Sequence, residues 1–125
     1  RPVIMQGTLD DLPDLLRASA PEMPRFDLIV GRNSLTQHPD RVGAARLLAR
    51  LLRPDGAISL AEVIPCHAQR IYALVDGASL GKEVEELWRQ AEEAIYANPQ
   101  DGMTNWDAAD LDNAFRGGGL GGGGV

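Results

Sequence analysis

The sequence predicts an α/β fold, a parallel sheet flanked by helices, and three observations carry that expectation. Phe26-Asp27-Leu28-Ile29-Val30 is a short apolar run that ends abruptly in Gly31-Arg32-Asn33-Ser34-Leu35. Apolar residues at helical spacing follow it. Leu51-Leu52-Arg53-Pro54-Asp55-Gly56-Ala57-Ile58-Ser59-Leu60 then supplies a helix end, a turn and a second apolar run. Strand, helix, turn and strand in that order form a βαβ unit, because parallel strands need a crossover. Ligands of open parallel sheets bind beyond the carboxyl ends of the strands, which puts Gly31 to Leu35 where chemistry would sit.

Taken in order, Pro2-Val3-Ile4-Met5-Gln6 is short and β-branched and closes at Gly7, so a strand is expected there. Thr8 with Asp11 matches a helix-start pattern, Pro13 suits the first turn, and Leu12, Leu15 and Leu16 form one apolar stripe as far as Arg17. Ala20 to Pro24, with two prolines, is a loop. The strand Phe26 to Val30 is nearly all apolar, which predicts burial on both faces. Pro39 suits a first helical position, and Val42, Ala45, Ala49 and Leu52 recur at helical spacing up to Pro54-Asp55-Gly56. Arg46, Arg50 and Arg53 lie on the other side, either as a phosphate-binding stripe or as a solvated face suited to the helix C-terminal dipole.

Ala57 to Ile64 is the second strand of the unit, interrupted by Glu62 and closed by Pro65. A short helix is expected over Arg70 to Val75, broken at Gly77. The clearest helix follows: Val84, Leu87, Trp88, Ala91 and Ile95 share one face. Lys82 with Glu86, Glu85 with Arg89 and Arg89 with Glu93 are spaced for ion pairs, each worth about 0.2–0.5 kcal/mol. After the loop Asn98 to Gly102, Thr104 with Asp107 repeats the capping pattern and opens a last helix through Leu111, Ala114 and Phe115. Residues 1–116 read as one partial domain. Residues 117–125 form a Gly-rich tail that cannot build regular structure alone.

With 125 residues, 44% hydrophobic and 24% charged, the chain has the composition of a single soluble globular domain. A net charge of −6 argues against a general nucleic-acid-binding surface. The one cysteine, Cys66, allows neither an internal disulfide nor a thiolate zinc cluster. No apolar run approaches the ~20 residues that span a bilayer, so no membrane partner and a cytoplasmic setting are expected. The chain starts at Arg1 and runs straight into an expected strand, which reads as a segment of something longer. Such a cut would expose a strand edge, and self-association through Pro2 to Gln6 or the neighbouring strand is then expected.

The order of these pieces resembles the latter part of the class I S-adenosylmethionine-dependent methyltransferases, whose sheet is Rossmann-like. Phe26 to Leu35 is similar to that family's fourth strand and the following loop, and Leu47 to Leu60, centred on Arg53-Pro54-Asp55-Gly56, to its helix, turn and fifth strand. Gly7-Thr8-Leu9-Asp10-Asp11-Leu12-Pro13 is similar to the loop after the third strand. Asp110 to Phe115 is similar to the late helix before the closing hairpin. Two features of the family have no counterpart: the Gly-rich loop that admits the cofactor's methionine portion, and the acidic residue that holds the ribose. Both would precede Arg1, so the resemblance implies that the N-terminal part of the fold is missing and that this chain holds at most half of a cofactor site. Trp88 to Tyr96, followed by Asn105-Trp106-Asp107, also resembles an uncharacterised domain fused behind a bacterial replication-associated recombination ATPase. That likeness implies an attached ATPase and a DNA-maintenance setting.

The resemblance implies S-adenosylmethionine as cofactor and Leu9, Asp10, Gly31, Arg32 and Asn33 as its neighbours. Asp10 matches the carboxylate that accepts from the adenine amino group; alternatively Asp10 and Asp11 only favour a helix N-terminus. Arg32 and Asn33 fall where cofactor and acceptor would meet, or are an ordinary polar loop pair. The family's Asn-Pro-Pro-aromatic signature for methylating bases is absent. His38 could deprotonate an acceptor or cap the helix after Pro39, and no acidic partner is identifiable in the sequence. Cys66 and His67 are too few for a metal site. Trp88 and Trp106 are expected as core anchors. The competing function class is a non-catalytic interaction module on the same fold.

Overall fold

The computed structural model describes residues 1–121, and the chain is mixed α/β. Helix α1 (Leu12–Ser19) leads to strand β1 (Phe26–Arg32), helix α2 (Arg41–Leu51) and strand β2 (Leu52–Ala61). Three 3-10 turns, Pro65–His67, Ile71–Ala73 and Ala78–Leu80, connect to helices α3 (Lys82–Ala97) and α4 (Ala108–Gly117). β1 and β2 pair in parallel as a two-stranded sheet, so β1–α2–β2 is the expected βαβ unit. The register runs from Leu28 opposite Ala57 to Arg32 opposite Ala61. Arg53-Pro54-Asp55-Gly56 lies within β2 as an irregularity: Phe26 faces Leu52, but Leu28 already faces Ala57. Gly56 fits there because a Cβ would stand 2.9 Å from the Phe26 carbonyl oxygen.

Helix starts follow side-chain chemistry. The Asp40 carboxylate accepts from the Gly43 N–H, so α2 begins two residues after Pro39. The last helix opens at Asp107, not Thr104. Asp107 accepts from the Ala109 and Asp110 N–H groups, and the Asp110 carboxylate accepts from the Asp107 N–H. The Thr104 hydroxyl donates instead to the Ile95 carbonyl. Thr8 and Asp11 do bond reciprocally, in the turn just before α1.

The core lies on one side of the sheet. Leu35, Ala44, Trp106 and Leu111 are buried together, with Leu9, Leu60, Ile64 and Phe115 against them. α4 packs on α2 through close backbone approach. A Cβ on Gly118 would stand 2.7 Å from the Ala45 Cβ, so Gly117 and Gly118 finish the helix rather than begin a featureless tail. The remainder of the Gly-rich run, residues 122–125, lies outside the described residues.

Further expectations are corrected. Pro2 to Gln6 is not a strand: Pro2 has no N–H, the sheet offers it no partner, and Ile4 is 92% exposed. With no strand there, the expected edge pairing is left to β1, which keeps one open edge. β1 is not buried on both faces, because no helix covers the side that carries Leu28 and Val30. The α3 stripe does not enter the core: Val84, Leu87 and Ile95 face solvent, and the helix packs on the turns at 71–73 and 78–80 through its other side. The expected ion pairs of α3 also rearrange. Arg89 bonds Glu86 three residues back, while Glu93 turns to Arg70 and Tyr72.

Candidate functional site

The carboxyl ends of β1 and β2 carry a dense polar arrangement. Past Ala61 the strand geometry ends, and Glu62 points back across the sheet end to the loop after β1. Its Oε1 accepts from the Ser34 N–H at 2.8 Å and the Leu35 N–H at 3.2 Å. Its Oε2 accepts from the Thr36 N–H at 3.0 Å and the Thr36 hydroxyl at 2.6 Å. Three consecutive backbone donors that no strand can satisfy are thereby paired with one charged acceptor.

Asn33 makes the return connection. Its N–H donates to the Ala61 carbonyl at 2.9 Å, and its Oδ1 accepts from the Val63 N–H at 3.2 Å. It does so with φ of 51°, a left-handed conformation that asparagine tolerates better than most residues. Gly31 sits tightly beneath the loop: a Cβ there would stand 2.5 Å from Ser34 Oγ and 2.7 Å from Leu60 Cδ2. Arg32 projects to solvent with no ion-pair partner among the described residues.

The loop before α1 approaches the same rim. His38 Nε2 lies 3.1 Å from Asp10 Oδ1, joining two candidates that are 28 residues apart in sequence. The Asp40 N–H donates to His38 Nδ1 at 3.2 Å, which assigns the ring proton to Nε2 and makes that nitrogen the donor to Asp10. The His38 side chain is only 13% exposed, whereas that of Asp10 is 79% exposed. Both ring nitrogens of His38 are therefore engaged, one in holding Asp10 and one at the start of α2. Leu9 turns the other way, against the core.

Behind the rim, the Arg41 guanidinium lies 4.4 Å from the centre of the Trp106 ring and donates through Nη2 to the Gly102 carbonyl. Its Nε is buried without a hydrogen-bond partner. Burial lowers the Arg41 pKa, opposed by the negative charges of Asp110 and Glu62. The Trp106 Nε1 donates to the Met103 carbonyl, which holds the ring as a core anchor.

Gly31, Arg32 and Asn33 thus stand at the carboxyl end of β1, Asp10 reaches the loop that follows only through His38, and Leu9 serves packing. Sequence reasoning did not assign Glu62, whose signal was a lone acid interrupting an apolar strand, nor the pairing of His38 with Asp10. Arg46 and Arg50 are exposed on α2, as a solvated helix face would be, whereas Arg53 falls beyond the helix, in β2, and bonds Asp27 of β1. The shallow hollow bounded by Lys82, Glu83, Glu86 and Leu87 shares no residue with the rim. Cys66 and His67 recruit no further ligands, and no group able to hold a metal ion occurs among the described residues. No helix among the described residues is long and apolar enough to cross a membrane. Searches against protein-family models, curated proteins and solved structures find no match to this chain.

Proposed function

We propose that this chain is part of an S-adenosylmethionine-dependent methyltransferase-like domain of Rossmann-like fold, contributing the adenine side of the cofactor site. The observation that supports the reading most directly is the Asp10–His38 contact. It brings the loop before α1 against the segment after β1, at the carboxyl ends of parallel strands, where open α/β sheets take their ligands. Asp10 is exposed, and its Oδ2 has no partner among the described residues, so it can accept from an exocyclic amino group. The Gly-rich loop that such a cofactor needs for its methionine portion, and the acidic residue that accepts from its ribose hydroxyls, have no counterpart among the described residues. The reading calls for them on a further stretch of chain.

When bound, the cofactor would supply an already activated methyl group. The protein's part is then to align the acceptor and exclude water. Among the described residues His38 is not free to act as a base, since both of its ring nitrogens are occupied. That observation favours a second reading, a non-catalytic module of the same fold that couples an attached replication-associated ATPase to a partner.

Calorimetric titration of S-adenosylhomocysteine separates the two. It is carried out on the longest native polypeptide that carries residues 1–125, in parallel with its Asp10→Ala variant. Binding that weakens at least tenfold in the variant, about 1.4 kcal/mol, supports the cofactor reading. No binding by a folded protein refutes it in favour of the module. Equal binding by both forms refutes the assignment of Asp10.

A further inference from the structure

Two apolar surfaces of this chain stand uncovered, and they match each other. The first is the outer face of the sheet. Leu28 and Val30, 57% and 71% exposed, form a low wall on β1, and the small residues Ala57, Ser59 and Ala61 form a trough beside it on β2. The second is the ridge of α3, where Val84, Leu87, Ala91 and Ile95 recur at spacings of three and four along one exposed stripe. A helix face of this kind normally meets an apolar partner.

Length and charge agree as well. From Leu28 to Arg32 the sheet face is about 13 Å long at ~3.3 Å per residue. The α3 ridge from Val84 to Ile95 is about 16 Å long at ~1.5 Å per residue. The face is uncharged except at its carboxyl end, where Arg32 stands. Glu83, in the first turn of α3 and beside the ridge, is the matching charge. Neither residue has an ion-pair partner among the described residues. A helix laid antiparallel to the strands puts its first turn at their carboxyl ends, and Glu83 at Arg32.

The chain's own α3 is committed elsewhere. The Glu92 carboxylate, buried to 7% exposure, accepts from the Ile71 and Tyr72 N–H groups. Glu93 accepts from Arg70 Nε at 2.9 Å and the Tyr72 hydroxyl at 2.7 Å. These four bonds clasp one side of α3 to the turn at 71–73 and leave the ridge facing outward.

We propose that two copies of this chain form a two-fold dimer in which α3 of each lies across the open sheet face of the other, Glu83 of one copy against Arg32 of its partner. The arrangement is reciprocal and closed, so a single association covers all four surfaces and leaves none to propagate. It does not rest on the cofactor reading.

Sedimentation equilibrium over a concentration series tests the proposal, with circular dichroism to confirm that each variant is folded. The wild-type chain is expected to dimerise. Ser59→Glu, a solvent-facing change at the centre of the trough, is expected to give a folded monomer. Arg32→Glu and Glu83→Arg are each expected to weaken the dimer about tenfold, and the double variant to recover most of the loss, because reversing both charges restores the pair. A wild-type chain that stays monomeric overturns the proposal. So does a dimer that tolerates Ser59→Glu, which would be joined through the β1 edge or another surface, and so does a double variant no tighter than the singles.

Discussion

Replacing Glu62 tests whether one carboxylate organises the rim. In Glu62→Gln the amide oxygen can still accept from the Ser34 and Leu35 N–H groups. The amide nitrogen that takes the place of Oε2 cannot accept from the Thr36 N–H or hydroxyl. Two charge-assisted bonds are lost and two are reduced to neutral strength. A bond to a charged group is worth about 1.5–3 kcal/mol and a neutral one about 1 kcal/mol, but the site is half-buried and water replaces part of the loss. A net destabilisation of about 2 kcal/mol is expected for Gln, and about 3 kcal/mol for Glu62→Ala, which leaves all four donors without this acceptor. At roughly 2.1 cal/mol/K of unfolding entropy per residue, the glutamine change lowers Tm by about 8 °C. Urea unfolding followed by circular dichroism reads both variants, with Glu22→Gln as an exposed control expected to match wild type. Two variants within about 0.5 kcal/mol of wild type would show that the loop after β1 does not depend on Glu62.

Further substitutions address other parts of the structure. Gly31→Ala drives a methyl group into Ser34 Oγ and Leu60 Cδ2, so a loss of about 1–3 kcal/mol is expected in the same unfolding assay. Trp106→Phe removes the bond to the Met103 carbonyl and the best ring for Arg41 to lie on, and should cost about 1–2 kcal/mol. Asp10→Ala removes only an exposed pairing and should change stability by less than about 1 kcal/mol, so that any loss of ligand binding is attributable to the site itself. The Tyr72 hydroxyl and then the Arg70 guanidinium hold the Glu93 carboxyl below its ordinary 4.5, so its contribution is present above that value and is lost as pH falls through the lowered one. The urea midpoints of wild type and Glu93→Gln should accordingly differ at neutral pH and converge in acid.

What the sequence made legible is what local chemistry decides. β1, α2 and the latter part of β2 are readable because an apolar run and a proline-led helical period have short-range causes, whereas Pro54-Asp55-Gly56, expected as a turn before the strand, is taken into β2, which starts at Leu52 and ends at Ala61. The start of α4 was misplaced by three residues because Thr104 and Asp107 both suit a cap. Tertiary contact chose between them when the Thr104 hydroxyl bonded the end of α3. The side on which α3 packs departs from its sequence pattern for a different reason. Its apolar stripe predicts a buried face only if polar residues have no stronger claim, and Glu92 and Glu93 have four donors waiting in and beside the turn at 71–73. Within the rim, Asp10 and His38 each stand out in the sequence, yet a bond across 28 residues carries no sequence signal of its own.

The rim also separates its two acidic residues by capacity. A carboxylate offers about four acceptor directions. Glu62 has four donors directed at it, three of them backbone groups of one loop, so it is spent on architecture and has little left for a ligand. Asp10 has one donor, from a histidine whose other nitrogen is fixed by the start of α2. That single bond restrains the carboxylate while leaving most of its acceptor capacity turned to solvent. The two roles depend on one another. Glu62 fixes the loop whose continuation carries His38, and His38 in turn steadies Asp10. On the proposed reading, a ligand that presents an amino group at the carboxyl ends of β1 and β2 meets Asp10 as its carboxylate, backed by a rim that Glu62 has already ordered.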